Sequence, residues 1–180
     1  LGKKNKLLTH FKSNVYKTIK KARLRNLKVI LDYEGPVKAP IIKGQKVGEV
    51  KIYYKDVDKM GIVYYSRYFE FFEIARTELL KSIGLSLASM EKRGVYLPVI
   101  SAHCQYRVAL KLEQEAKINV RICNFPKSKL KILYTISTNF SKGTCVDGYT
   151  EHAFLNDVGT PTRPPKFFLT LLEKFWTNID

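Results

Sequence analysis

Residues 53–76 read YYKDVDKMGIVYYSRYFEFFEIAR: a polar turn carrying two aspartates, then an aromatic-rich run. From Ser66 to about Ile83 the apolar residues Tyr68, Phe71, Phe72, Ala75, Leu79, Leu80 and Ile83 recur at intervals of three and four, which puts them on one stripe of an amphipathic helix. At about 1.5 Å per residue that helix is roughly 27 Å long. Gly84 stops it. Ahead of the turn, residues 47–55 (VGEVKIYYK) alternate with the period of two that a strand requires.

Downstream, a shorter helical piece, Leu87 to Lys92, leads into four long runs: Val95 to Leu110, Ala116 to Asn124, Lys129 to Phe140 and Cys145 to Leu155. These read as strands, with turns at Pro126-Lys127-Ser128 and Lys142-Gly143. One strand, one long helix and four more strands predict an α+β domain whose antiparallel sheet wraps around a single central helix. After Pro164-Pro165 the stretch KFFLTLLEKFW has helical spacing and is expected to dock as a C-terminal helix or to cap a partner subunit. No apolar run approaches the roughly 18 to 20 residues of a membrane-spanning helix, and the composition is that of a soluble globular protein. The chain divides into a basic extension at 1–46, a folded domain at 47–160 and a helical tail at 161–180.

A net charge of +16 points to nucleic acid only if it sits on the folded part. Residues 1–46 hold 13 Lys/Arg and two acids, Asp32 and Glu34 (+11), whereas residues 47–180 hold 19 Lys/Arg and 14 acids (+5). The surplus belongs to the extension, so no nucleic-acid partner is expected. That extension mixes Lys/Arg with Leu, Val and Ile and has no acid before Asp32, as cleavable leaders for a plastid-type organelle or the mitochondrial matrix do. A solvated helix touching an anionic membrane is the alternative, and it leaves the cytoplasm open. A linker at Gly35 to Gly44 separates it from the domain. Because the sequence starts at Leu1, an upstream piece is expected.

Cys104, Cys123 and Cys145 are odd in number and lack C-x-x-C spacing, so they read as buried small hydrophobes in a reducing compartment. Cys104 follows His103, but neighbours on a strand face opposite sides, which argues against a thiol and imidazole dyad. With no H-x-x-x-H and no Cys/His cluster, neither a metal nor another cofactor is expected, and His103 and His152 read as core or surface residues. An EF-hand starting at Asp56 would need an oxygen ligand where Met60 stands and a glutamate where Arg67 stands.

Asp58 is the residue with chemistry to offer. It falls at the predicted end of a strand, a few residues before a helix whose free N–H groups and dipole can stabilise an oxyanion. A thioester needs that pairing: the carboxylate acts as general base on water or attacks the carbonyl itself, and the two routes stay open. Gly61 allows close approach of backbone or substrate. On spacing alone, turn or capping duty is the simpler reading of both Asp56 and Asp58, and Asp56 keeps it. Glu73 and Arg76, at i and i+3, read as a structural pair. Lys127, Ser128 and Lys129 form a basic turn suited to phosphates or to an acidic carrier protein, or else to nothing more than solvent.

The run DVDKMGIVYYSRYFEFFEIARTELL at 56–80 resembles the signature of the 4-hydroxybenzoyl-CoA thioesterase family and its YbgC-like branch, in which D-x-D-x-x-G-x-V-Y precedes the long helix of the hotdog fold. LPVISAHCQYRVAL at 97–110 resembles the family's second strand, so the likeness covers about 110 of the 180 residues. The resemblance implies a hotdog fold and acyl-CoA thioesterase activity on an acyl or aroyl group, with Asp58 as the catalytic carboxylate and Tyr65 supplying the backbone N–H for the thioester oxygen. It also places Tyr54 at a tyrosine implicated in the YbgC-like branch, and Gly61, Val63 and Tyr64 beside the substrate. That branch usually has histidine where this chain has Tyr65, while the hydroxybenzoyl enzymes have tyrosine. Ala109 replaces a proline common near the end of the second strand.

The family implies a homodimer or homotetramer formed through the sheets, with acyl-CoA or an acylated carrier protein as the partner. An aromatic face of Tyr64, Tyr65, Tyr68 and Phe69 would line the acyl pocket, or simply pack in the core. Competing expectations are an acyl-carrier-protein thioesterase, a non-catalytic acyl-binding module, a nucleic-acid binder acting through the extension, and a hotdog dehydratase. The last lacks its histidine near Asp58.

Overall fold

The computed structural model describes residues 46–176. The basic extension, its linker and the expectations attached to them lie outside the described residues, apart from Lys46.

The elements run β1 (Lys46–Lys51), a 3-10 turn (Tyr54–Asp56), α1 (Arg67–Ser82), α2 (Leu87–Glu91), β2 (Val99–Tyr106), β3 (Glu115–Ile122), β4 (Lys129–Ser137), β5 (Val146–Leu155), β6 (Pro161–Thr162) and α3 (Lys166–Glu173). All strand pairs are antiparallel, in the order β1-β3-β4-β5-β2, with β6 added to β5. This is the α+β hotdog arrangement that the sequence predicts.

Strict alternation makes the inner face. Leu130, Ile132, Tyr134 and Ile136 on β4 and Ala116, Ile118, Val120 and Ile122 on β3 are buried, and their neighbours are not. Against that face α1 lays its predicted stripe, and Tyr68, Phe71, Phe72, Ala75, Leu79 and Leu80 are all buried. Phe72 stacks on Tyr134 with ring centroids 4.3 Å apart and planes 11° apart. It reaches that position because residue 148 is glycine. A Cβ there would stand 2.8 Å from Phe72 Cε2 and 2.4 Å from the His103 carbonyl oxygen.

The C-terminal segment docks on this same core. Phe168 and Leu172 of α3 are fully buried, and Phe168 meets Phe154 edge-on at 5.0 Å. Each strand that the sequence predicts is shorter in the structure, and the first two lose the largest share. The run from residue 47 was expected to stay extended to 55 but ends at Lys51, where the Tyr53 N–H and the Asp56 carboxylate close a 3-10 turn. The run from Val95 yields only Val99–Tyr106, with Tyr96 reduced to an isolated bridge to Leu155. Buried apolar residues at Val95 and Leu97 gave the signal of a strand without forming one.

A polar chain threads the core. Tyr134 Oη lies 2.8 Å from Thr150 Oγ1, which lies 2.8 Å from His152 Nε2. His152 Nδ1 lies 3.2 Å from Arg76 Nη1 and 3.2 Å from the Leu97 carbonyl. Burial, and then the Arg76 charge, push the His152 imidazole down from 6.5 to about 4, against the opposing effect of Leu97. The unfolded chain therefore takes up this proton at a higher pH than the folded one does. The stabilisation from a neutral His152 should be complete above about pH 6.5 and drain away as pH falls towards 4, by on the order of 3 kcal/mol. Urea midpoints between pH 7 and 4.5 should fall, and the fall should be visibly shallower in His152→Gln.

Candidate active site

Asp58 opens a tight hairpin between the 3-10 turn and α1; it is not at the end of β1. Val57 and Val63 bridge across the hairpin, the Asp58 N–H donates to the Ile62 carbonyl at 2.9 Å, and the Gly61 N–H donates back to the Asp58 carbonyl at 2.9 Å. Gly61 sits at φ +71, so its role here is the left-handed turn and not close approach to a neighbour, since nothing lies within 4 Å of its Cβ position.

The two aspartates of this segment live in different environments. Asp56 is buried, and Oδ1 accepts from Arg67 Nε at 2.9 Å and Nη2 at 2.6 Å, while Oδ2 accepts from the Tyr53 N–H at 2.9 Å. Its carbonyl also accepts the Tyr64 N–H at 2.9 Å. Asp56 thus clamps the 3-10 turn, the far side of the hairpin and the first turn of α1 together. Asp58 is half-buried, and its Oδ1 accepts the Met60 N–H at 2.8 Å. No group of the described residues bonds Oδ2, which is the oxygen left for a substrate or a water.

Beyond Asp58 comes the start of α1. The Tyr64 carbonyl accepts the Arg67 N–H at 2.9 Å, so it points into the helix. In a trans peptide the N–H points the opposite way, and the Tyr65 N–H is therefore aimed out of the helix N-terminus. The next peptide is held too, because the Tyr106 hydroxyl donates to the Tyr65 carbonyl at 3.0 Å. Tyr64 and Tyr65 are exposed, with rings 4.6 Å apart. Hydrogen bonding to Tyr65 raises the Tyr64 phenol above its usual range, with smaller contributions from charge on Tyr65, burial and the Asp58 carboxylate, so Asp58 acts on the same patch. Burial pushes the nearby Cys104 thiol up to about 11, which leaves it protonated and no nucleophile at neutral pH.

The structure brings Asp58, Gly61, Tyr64 and Tyr65 together, but not the rest. Tyr54 is 82% exposed, and its hydroxyl bonds nothing among the described residues. Val63 is a core residue whose N–H donates to the Leu110 carbonyl at 2.8 Å. Lys127, Ser128 and Lys129 lie at the other end of the sheet. Lys129 stands opposite Ala153 on β5, whereas Tyr106, next to the site, stands opposite Val146. Seven residues of strand separate these positions, roughly 24 Å at 3.4 Å each. Lys129 is also engaged, with Nζ 3.0 Å from Glu151 Oε2. The expected pair of Glu73 and Arg76 does not form: Glu73 is exposed, while Arg76 is buried against His152.

Two residues that hold the site, Arg67 and Tyr106, gave no signal in the sequence. Arg67 is 11 residues from Asp56 and Tyr106 is 41 from Tyr65, and only the hairpin and the sheet close those gaps. No cluster of three or more His, Cys, Asp or Glu side chains among the described residues is placed to hold a metal ion.

Comparison with known proteins adds the family context. A family model described as the thioesterase-like superfamily matches residues 53–172. A second, described as the C-terminal domain of penicillin-binding protein 5, matches residues 1–66, mostly outside the described residues. The chain is 35% identical over 74 residues to YneP of Bacillus subtilis, named provisionally as an acyl-CoA thioesterase, covering 41% of this chain and 54% of YneP. It is 29% identical over 106 residues to the acyl-CoA thioesterase YbgC of Haemophilus influenzae, covering 54% of this chain and 78% of the relative. The matched part spans little more than half the length of curated relatives such as YneP. Among solved structures, the DHNA-CoA thioesterase of Staphylococcus aureus superposes with a TM-score of 0.65 at 25% identity, over 71% of this chain and 86% of that one.

Removing the clamp should loosen the site without touching Asp58. Asp56→Ala removes a buried partner of Arg67, which keeps Glu70, and strands the Tyr53 N–H; it should cost about 2 kcal/mol, less than a fully buried ion pair because Arg67 is partly exposed. A lowered urea midpoint would show it, and an unchanged midpoint would mean that the clamp holds nothing.

Proposed function

Since the chain belongs to the thioesterase-like superfamily, with a family match over residues 53–172, we propose that it is an acyl-CoA thioesterase whose carboxylate is Asp58. The observation that carries this is the pairing of a carboxylate having one unbonded oxygen with an N–H aimed out of a helix N-terminus just beyond it. In the general-base route, Asp58 takes a proton from water as the oxygen adds to the thioester carbonyl. The carbonyl oxygen, now negative, is met by the Tyr65 N–H and the positive end of α1. The C–S bond then breaks, the thiolate takes up the proton, and free acid and thiol leave. In the nucleophilic route, Asp58 adds directly, thiolate leaves, and water hydrolyses the mixed anhydride. Both routes use the same two groups.

Asp58→Asn should lower kcat on acyl-CoA by about 100-fold or more with KM little changed, because it removes the base or nucleophile and leaves the turn intact. Thiol release from short, long and aromatic acyl-CoAs would measure it. Full activity in Asp58→Asn would end this mechanism.

The working unit is proposed to be a dimer. Strand β2 forms one edge of the sheet, and its eight residues, VISAHCQY, contain no Lys, Arg, Asp, Glu or Pro. Val99 and Ile100 are each about half exposed on it. Such an edge is a ready template for another strand. Antiparallel pairing of two β2 strands about a twofold axis would set the Val99 end of one copy beside the Tyr106 end of the other. The basic turn of the second copy (Lys127, Ser128 and Lys129) would then share an end of the joined sheet with Asp58 of the first, where the phosphates of CoA could meet it. Wild type should scatter light as twice the chain mass, and Ile100→Lys should run as a monomer with activity down at least tenfold. A fully active wild-type monomer would sink the proposal.

A further inference from the structure

At the end of the sheet away from Asp58 of the same copy, residues from α1, α2, the chain entering β2 and the loop after β5 line an open groove of about 480 Å³. Leu87, Leu97, Pro98 and Leu155 give it apolar wall, and Arg76 lines it from α1. Arg76 is only 8% exposed, so a permanent positive charge is held almost out of water. Its guanidinium has five N–H donors, and the hydrogen bond it makes among the described residues is Nη1 to His152 Nδ1 at 3.2 Å. That partner is a neutral imidazole at neutral pH and supplies no countercharge. No carboxylate among the described residues forms an ion pair with Arg76. Since no buried side-chain nitrogen lacks a partner among those residues, the unused Arg76 donors are the ones that open on the groove.

A guanidinium with no ion-pair partner, whose free donors face the groove, is a ready site for an anion. We infer that the Arg76 groove is a second binding site, for a small monocarboxylate with an apolar body. The two carboxylate oxygens match the fork of guanidinium donors, and the ring or hydrocarbon matches the Leu and Pro walls. Glu91 and Asp157 also border the groove and are exposed, so they oppose a multiply charged ligand such as phosphate more than a single carboxylate. Within one copy neither Asp58 nor Tyr65 lines it; the proposed β2 pairing would bring the partner's Asp58 end alongside, so variants at Arg76 and at Asp58 are needed to tell the two sites apart.

The full chain, labelled with 15N, would be titrated with benzoate, hexanoate and inorganic phosphate and followed by amide chemical shifts. The expected result is saturable binding of both carboxylates, with shifts centred on Leu87, Tyr96, Asn156 and Gly159. Asp58→Asn should bind as wild type does, Arg76→Gln at least tenfold more weakly, and Asp157→Asn several-fold more tightly. Leu87→Trp fills the groove without altering charge and should also abolish binding, so the result does not hang on how well an Arg76 variant folds. Four outcomes overturn the inference: no saturable shift in wild type, equal affinity in a folded Arg76→Gln, phosphate binding as tight as benzoate, or shifts centred on Tyr64 and Tyr65 that vanish in Asp58→Asn.

Discussion

Phe72 lies flat on Tyr134, over a glycine that leaves room for it, and the placing of α1 follows from that contact. An aromatic pair of this kind adds about 0.5 to 1.5 kcal/mol beyond its buried area, and its geometry leaves α1 little freedom to slide or roll. Once α1 is pinned at Phe72, Tyr68 comes within 5.2 Å of the Tyr106 ring, and the Tyr106 hydroxyl reaches the Tyr65 carbonyl. The helix start is thereby tied to the end of β2. The candidate site therefore takes its position from the core as well as from the Asp56 clamp.

Within that frame, Asp56 and Asp58 show how burial and hydrogen bonding assign different work to the same side chain. Asp56 is saturated, with two guanidinium donors and one backbone donor on its oxygens, and it can only hold. Asp58 spends one oxygen on its own turn and keeps the other open. Exchanging these surroundings would exchange the roles. The spacing of two in the sequence says nothing about which is which, because both residues suit a turn equally well.

Much of the fold was legible because it is periodic. The stripe from Tyr68 to Ile83 and the alternation in β3, β4 and β5 are direct images of burial on a helix face and a sheet face. What failed to show was whatever depends on the chain returning to itself. β1 breaks at Lys51 because a carboxylate five residues on captures a backbone N–H, an event that polarity patterns do not record. Arg76 looks like a surface partner for Glu73 at helical spacing, yet the buried face of α1 carries it to His152, 76 residues away. The basic turn at Lys127 to Lys129 was visible as chemistry, but its distance from Asp58 is a matter of strand register.

If two copies pair through β2 as proposed, the edge of β2 that no strand among the described residues covers has a consequence for the life of the chain before assembly. Eight uncharged residues with unpaired backbone groups carry no electrostatic veto against a wrong neighbour, whether a misfolded copy or an unrelated extended segment. Discrimination must come from shape and from how quickly a matching edge arrives. Refolding should therefore be a race between second-order processes, in which moderate concentration, chaperone cover or synthesis of copies close together decides how much of the chain reaches a usable state and how much is lost to aggregates.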